Sequence, residues 1–409
     1  MSDVDGTPLI GKPAEDLTGR QHITKALAAA MWTYGGRGTG LLWTVTLIAQ
    51  IGVGGYGQYA MAFAIGAIVS APIDNPFAVR SIRESEERFR AERSLRVIIA
   101  VSMIVLGIIL YPVSYLLWFG LVASGGEMVF AAYKSRRHRD GHPDKVQRMD
   151  TTRQVSAVIL GGGYLYLVPD PTLAIASILY AIPYLVVALM AIRVVWGDRP
   201  AFPGPIKMAA VLFGENLATA LYLQGDVLLL GFLTDSTVAG YYSVAVVCAW
   251  AVAQVGAALG GTYHEKLRDG AGTLSSGPPL KHTVSLAGAA ALLLLLAGIV
   301  MEILPLATEL ATSVIIMSAF VFFRVINYVY TTILSIQRRD VVRSGAAAVV
   351  VPIKLGLVTL FVSIGAVGAA ISSVIADGIL LAIYFYVLNR PPRALQNVPH
   401  AKHRMPDNS

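Results

Sequence analysis

One cysteine in 409 residues, Cys248, excludes an intrachain disulfide. Charge is scarce too: 14% of residues are Asp, Glu, Lys or Arg, where soluble domains sit near ~25%. A water-soluble protein of this length would need far more polar surface. Histidine adds little. His22, His138, His142, His264, His282, His400 and His403 all lie in polar connecting segments. His400 and His403, three apart on a polar tail, do not make a ligand set, and no metal site is expected. Phosphate-binding glycine loops and nucleophilic triads are also missing, which argues against an enzyme. The first 22 residues are polar and carry four acids, so no cleavable signal peptide is expected.

Apolar sequence dominates what remains. Hydrophobic residues make up 55% of the chain, and the mean hydropathy is +0.63. Thr283 to Met301 contains no charge over nineteen residues, close to the ~20 that cross a hydrocarbon core of ~30 Å. Barrel strands alternate and are only ~9–11 residues long, so the runs predict helices. Twelve are expected: 26–51, 57–79, 95–112, 114–133, 153–168, 172–195, 207–233, 237–262, 283–302, 307–335, 343–363 and 366–388. The predicted fold class is an all-α membrane protein of about twelve transmembrane helices.

The basic residues test this assignment independently. Of 32 Lys and Arg, 29 fall in alternate connections and the two terminal segments, and the other connections hold none. Arg37, Arg324 and Lys354 lie inside spans. Cytoplasmic loops carry the Lys/Arg excess, so both termini are expected inside, in a multi-pass inner (plasma) membrane protein. The net charge of +7 then reflects topology and contact with membrane lipids, and no nucleic-acid partner is expected. In the basic run 80–96, Glu84/Arg88 and Glu86/Arg90 have i,i+4 spacing, which predicts a short interfacial helix.

Three prolines in Gly197-Asp198-Arg199-Pro200-Ala201-Phe202-Pro203-Gly204-Pro205 mark a break near the middle. The expected organisation is a cytoplasmic segment 1–25, a six-helix lobe 26–196, a linker 197–206, a second six-helix lobe 207–388 and a cytoplasmic tail 389–409. An internal repeat agrees with it. Gly57-Gln58-Tyr59-Ala60-Met61-Ala62 and Gly240-Tyr241-Tyr242-Ser243-Val244-Ala245 share Gly-x-Tyr-small-x-Ala at an offset of 183 residues. Six spans is an even number, so both halves run the same way, as in parallel-repeat transporters with a site between halves.

At these residues the chain resembles a known family. Asp226-Val227-Leu228-Leu229-Leu230-Gly231 followed by Val238 to Ala245, Gly54 to Ala60 and Arg80 resemble motifs of the polysaccharide-biosynthesis, O-antigen (Wzx-like) flippases. Those form a branch of the multidrug/oligosaccharidyl-lipid/polysaccharide (MOP) exporter superfamily, whose fold is MATE-like. The specific motifs cover about forty residues. The resemblance implies two lobes flanking a cavity that alternates access, and a lipid-linked oligosaccharide carried from inner to outer leaflet. It also implies cavity arginines, helix one included, on the substrate pyrophosphate. Polysaccharide polymerase and glycosyltransferases are further expected partners, and no cofactor is expected beyond H⁺ or Na⁺ coupling.

Charges inside spans cost ~2.5–3.5 kcal/mol on insertion scales, so they face a cavity or a partner. Arg37 sits among four glycines in Gly35-Gly36-Arg37-Gly38-Thr39-Gly40, and a planar guanidinium suits phosphate oxygens. Arg324, beside Asn327 and Tyr328, is the second cavity cation. Lys354 is the third, and its depth also predicts an ion pair with Asp377. On the seventh span Glu215, Thr219, Tyr222 and Asp226 fall on one face at 100° per residue, a polar cavity stripe. Its structural reading has Glu215 neutralising Arg37 or Arg324 and Asp226 capping near the outer surface. Glu215, Asp226 and Asp377 are the ion-coupling candidates. A multidrug cation antiporter on the same fold is the alternative function. A membrane-embedded glycosyltransferase or polymerase is disfavoured by the very short outer connections.

Overall fold

A computed structural model describes residues 19–270, 272–304 and 307–390, with side chains from Gly38 onward except Pro143. His400 and His403 lie outside the described residues. The elements in chain order are α1 (Gly19–Ser81), α2 (Glu86–Ile109), α3 (Tyr115–Arg139), α4 (Pro143–Leu167), α5 (Leu173–Val195) and α6 (Ile206–Leu233). They continue with α7 (Ser236–Thr262), α8 (His264–Asp269), α9 (Leu280–Ile303), α10 (Thr308–Ile336), α11 (Asp340–Leu360) and α12 (Gly365–Leu388). Two short 3₁₀ turns complete the set, and no strand occurs among the described residues. The all-helical class predicted from the apolar runs is the one observed.

Nine helices among the described residues are long and apolar enough to cross a membrane. Two expected spans are absent from that nine because α2 and α4 begin in charged sequence, Glu86 to Arg96 and Asp144 to Arg153. A third is hidden inside α1, where spans one and two are joined at a single residue. Gly52 has φ 84° and ψ 169°, a conformation essentially reserved for glycine. The expected connection 52–56 therefore shrinks to one glycine, because Val53 onward is already helical.

The interfacial helix is also different from the expectation. α2 starts at Glu86 and runs on into the span without a break. Its charges pair both within the helix and with neighbouring elements. Arg80 meets Glu84 at 2.7 Å and Glu92 at 2.9 Å, Arg88 meets Glu92 at 3.0 Å, and Arg136 meets Glu86 at 3.1 Å. Glu92 is buried, so its two arginines replace the water it lost on packing.

The described chain divides into two compact units. The first holds residues up to Ile51, then Pro76–Ile108 and Val122–Pro203; the second holds Gly52–Asn75, Ile109–Leu121 and residues from Gly204. Within the first unit the proline-rich segment is tied to α2. Arg90 meets Asp198 at 2.8 Å, Ser94 donates to the Asp198 carbonyl at 3.2 Å, and Ala201 N donates to the Ala91 carbonyl at 3.0 Å. Small residues set close helix contacts here: a Cβ on Gly126 would enter the Tyr184 ring, and one on Gly161 would meet Trp43.

In the second unit the two copies of the repeated motif touch. A Cβ on Gly57 would strike the Ser236 carbonyl oxygen, and one on Gly240 would strike the carbonyl oxygen of Val53. Shifting either contact by the repeat offset yields the other, the reciprocity expected about a two-fold axis. Tyr56 and Ser243 share a hydrogen bond at 3.4 Å beside it. Glycine is needed at both positions because the backbones themselves are in contact. Asp235 caps α7, accepting from Thr237 N at 2.7 Å and Val238 N at 3.0 Å. Asp226, for which an outer capping role was an expectation, lies well inside α6.

Candidate functional site

The ionisable residues of the second unit converge because four helices each turn one face to the same place. On α6 the face is Glu215, Thr219, Tyr222 and Asp226. On α11 Arg343, Ala347, Val350 and Lys354 repeat the same three- and four-residue steps. α10 contributes Phe320, Arg324, Asn327 and Tyr328, and α12 contributes Ser373, Asp377, Leu380 and Tyr384.

Two buried ion pairs form at this junction. Arg324 Nη2 lies 2.8 Å from Asp377 Oδ2. Lys354 Nζ lies 2.5 Å from Asp226 Oδ2. The carboxylates are 0% and 1% exposed, so each depends on its cation and hydrogen bonds to replace hydration. Asp377 Oδ1 accepts from Asn327 Nδ2 at 2.9 Å, and the same amide reaches the Asp377 carbonyl at 3.1 Å. Asp226 Oδ1 accepts from Val227 N at 2.9 Å, and Tyr242, itself 2.7 Å from Ser373 Oγ, donates its hydroxyl to Asp226 Oδ2. Tyr222 couples the pairs. Its hydroxyl donates to Asp377 Oδ2 at 2.5 Å and accepts from Arg324, while its carbonyl accepts from Lys354 Nζ at 2.8 Å.

The expected Lys354–Asp377 pair is therefore replaced by an exchange of partners. α11 does neighbour α12, as the hairpin implied, but Lys354 turns toward α6 and Asp377 toward α10. The cluster holds two cations and two carboxylates, so it carries no net charge.

Aromatic faces enclose the Arg324 guanidinium. Its carbon lies 4.6 Å from the Trp250 ring centre, 4.9 Å from Tyr222, 5.4 Å from Phe320 and 5.9 Å from Tyr328. Such contacts hold a delocalised cation in a low-dielectric site. Arg324 Nε makes no hydrogen bond, so one donor of the fork is uncommitted.

A cavity of about 310 Å³ opens beside this cluster. Arg324 and Tyr222 form part of its wall, with Glu215, Thr219, Tyr328, Arg343 and Tyr384. Arg343 meets Glu215 at 3.4 Å and donates to Ser335 Oγ at 2.6 Å; both side chains of the Arg343–Glu215 pair are about one-third exposed, at 31% and 34%. Among the described residues Glu215 thus pairs with Arg343, and Arg324, one of the two arginines expected for it, takes Asp377 instead. Lys354, Asp226 and Asp377 do not line this cavity. The side chain of Arg37 lies outside the described residues.

Arg343 was placed at a loop edge by counting hydropathy, yet it belongs to the cavity. A signal was available: Arg343 and Lys354 are eleven residues apart, the same helical step that links Glu215 to Asp226. Arg153, also counted as a loop residue, has a side chain only 10% exposed in the first unit. It meets Glu127 at 3.3 Å, donates to the Tyr184 hydroxyl at 2.6 Å, and stacks on Tyr184 at 4.5 Å. Each unit thus contains an arginine–tyrosine–carboxylate triad.

Taken together, these features define a multi-pass helical membrane protein, and comparison with solved structures gives it a MurJ- and MATE-like fold. Among solved structures, the lipid II flippase MurJ in an inward closed conformation matches with a TM-score of 0.67 at 14% identity, covering 90% of this chain and 88% of that one. The MATE multidrug transporter DinF-BH, in complex with R6G, matches at 0.61 and 13%, covering 92% and 98%. An inward-facing multidrug resistance MATE family transporter of the MOP superfamily matches at 0.53 and 13%, covering 89% and 93%. At such identities the likeness concerns the fold. No family model matches the sequence, and no curated protein is similar enough in sequence to match it.

Proposed function

We propose that the protein is a flippase that carries a polyprenyl-pyrophosphate-linked oligosaccharide from the inner to the outer leaflet of the cytoplasmic membrane by alternating access. The observation that carries this reading is the cavity with two arginines on its wall. Arg324 is anchored by Asp377, while Arg343 is held by two partly or largely exposed carboxylates, Glu215 at 3.4 Å and Asp340 at 3.5 Å, and by Ser335 Oγ at 2.6 Å. A pyrophosphate has charge and oxygens enough to draw Arg343 from Glu215, and both guanidinium forks can then grip it. The hydroxyls of Tyr328 and Tyr384 on the same wall supply further polar contacts, whereas the Tyr222 and Thr219 hydroxyls already donate to Asp377 and to the Glu215 carbonyl. Of the three cations expected from sequence, Arg324 lines this cavity and Lys354 does not, and Arg37 is kept as a further phosphate ligand in this proposal. The MurJ likeness lends support through a neighbour that is itself a lipid II flippase.

The experiment that tests the reading deletes the gene and measures lipid-linked intermediates by leaflet. Accumulation of polyprenyl-linked oligosaccharide on the cytoplasmic leaflet is expected. Normal glycan export with unchanged intermediates would remove the proposal.

Coupling to H⁺ or Na⁺ is assigned to Glu215. Asp226 and Asp377 are sealed against Lys354 and Arg324, so a proton there would have to break a buried pair. Neutralising Glu215 releases Arg343 toward the substrate. Glu215→Gln is therefore expected to bind polyprenyl pyrophosphate more tightly and to flip it without dependence on an imposed ion gradient. Unchanged gradient dependence in reconstituted vesicles would shift coupling elsewhere.

The same cavity favours a second reading through its acid and its tyrosines. Glu215 with Tyr222, Tyr328 and Tyr384 could hold an organic cation, as an antiporter would require. Arg324 and Arg343 oppose that by like charge. Gradient-driven efflux of a cationic dye by the purified protein, with no effect on lipid intermediates, would select the antiporter.

A further inference from the structure

The first unit contains a second, larger concavity that the flipping reading does not use. It measures about 610 Å³ and lies among α3, α4 and α5, within the range of small-molecule sites. Its chemistry changes along its length. On α4 the lining face runs Lys145, Arg148, Thr152, Ser156 and Leu160, from charged through hydroxyl to apolar over fifteen residues. At 1.5 Å per residue that is about 22 Å, against ~15 Å for one leaflet of a ~30 Å hydrocarbon core. The α5 wall, from Ile182 to Met190, is apolar throughout. Pro183 interrupts it and leaves the Leu179 carbonyl without its helical donor.

The basic end has cations to spare. Arg137, Lys145 and Arg148 border the groove and make no ion pair among the described residues, whereas their neighbours Lys134 and Arg136 are paired with Asp150 and with Glu86 and Asp140. Arg153 lies deeper. Its side chain is nine-tenths buried, and its Nε finds no hydrogen-bond partner. An apolar trough alone would not specify an occupant. One with unpaired cations gathered at its charged end specifies an amphiphile with an anionic head.

The geometry points to a binding site for one anionic glycerophospholipid, its phosphate on Arg137, Lys145 and Arg148 and an acyl chain along Leu160, Val186 and Met190. The one-sided distribution of Lys and Arg assigns the basic end to the cytoplasmic leaflet. This site is separate from the cavity of the second unit and does not rest on the flippase reading.

Native mass spectrometry of the detergent-purified full chain tests it, with phosphatidylglycerol and phosphatidylcholine of matched chains as probes. The expected result is retention of one phosphatidylglycerol and weak retention of phosphatidylcholine. Each basic residue near an anionic headgroup contributes about fivefold, so Arg137→Ala with Arg148→Ala should weaken phosphatidylglycerol about 25-fold. Val186→Trp, at a position 51% exposed and so tolerant of bulk, should block the chain while leaving the cations intact. sn-Glycerol 3-phosphate, which has the head chemistry without chains, should not displace the lipid at equal concentration. Equal retention of the two lipids, or undiminished binding by the double variant, would overturn the site. Displacement by glycerol phosphate would make it a soluble-phosphate site, and recovery of a polyprenyl carrier in place of phospholipid would reassign the groove to substrate. Either result also overturns the proposal.

Discussion

Asp377→Ala should destabilise the protein by about 3–5 kcal/mol, because it leaves the Arg324 guanidinium buried without its counter-charge. The carboxylate is fully buried and accepts from Arg324, Tyr222 and Asn327 together. Arg324→Leu should cost a similar amount for the complementary reason. Replacing both partners by leucine removes both desolvated charges, and buried pairs exchanged for apolar residues are often neutral in stability. Arg324→Leu/Asp377→Leu should therefore recover most of what either single change loses, despite the hydrogen bonds forfeited at Tyr222 and Asn327. Reversible unfolding in mixed micelles provides the cycle, with a coupling of about 3 kcal/mol expected. Simply additive losses would mean that the pair is not a unit. The double variant also separates stability from function, since it should fold and still fail to hold a pyrophosphate.

The second large effect concerns Arg343. Hydrogen bonds to charged groups contribute about 1.5–3 kcal/mol, so Arg343→Ala should weaken binding of polyprenyl pyrophosphate about 10- to 150-fold. Stability should hardly change, because the side chain is about one-third exposed and its pairing with Glu215 is long. Arg343→Lys should restore part of the affinity, as an ammonium returns the charge without the planar fork. Binding measured on purified protein, with thermal unfolding as control, decides the matter. Wild-type affinity in Arg343→Ala would remove this residue from the substrate site.

These two arginines also show where reading from sequence stops. Arg324 stood out because a cation in the middle of an apolar run is costly and needs a reason to be there. Arg343 and Arg153 did not, since both lie at the edges of runs where basic residues are expected to meet headgroups. Edge position looks the same in one dimension whether the side chain turns to water or inward. The pairing of Lys354 was missed for a related reason. Hydropathy locates a residue along the membrane normal, and Asp226 and Asp377 both satisfy that coordinate. Which of them Lys354 meets depends on how α6, α10 and α11 are arranged around α12, a lateral coordinate on which residue depth is silent. The α6 stripe was legible because helical periodicity alone places Glu215, Thr219 and Tyr222 on one face.

Run length, the near absence of charge and the one-sided basic residues were enough to make this a many-span helical membrane protein, because hydrocarbon tolerates no unpaired backbone and few charges. The repeated glycine motif likewise marked two positions of close approach. Only tertiary structure decided that these glycines meet each other, that each buried cation takes the acid it does, and that a basic-to-apolar groove forms among α3, α4 and α5. Those outcomes depend on which helix faces become neighbours, and side-chain packing across elements settles that after every span has already formed.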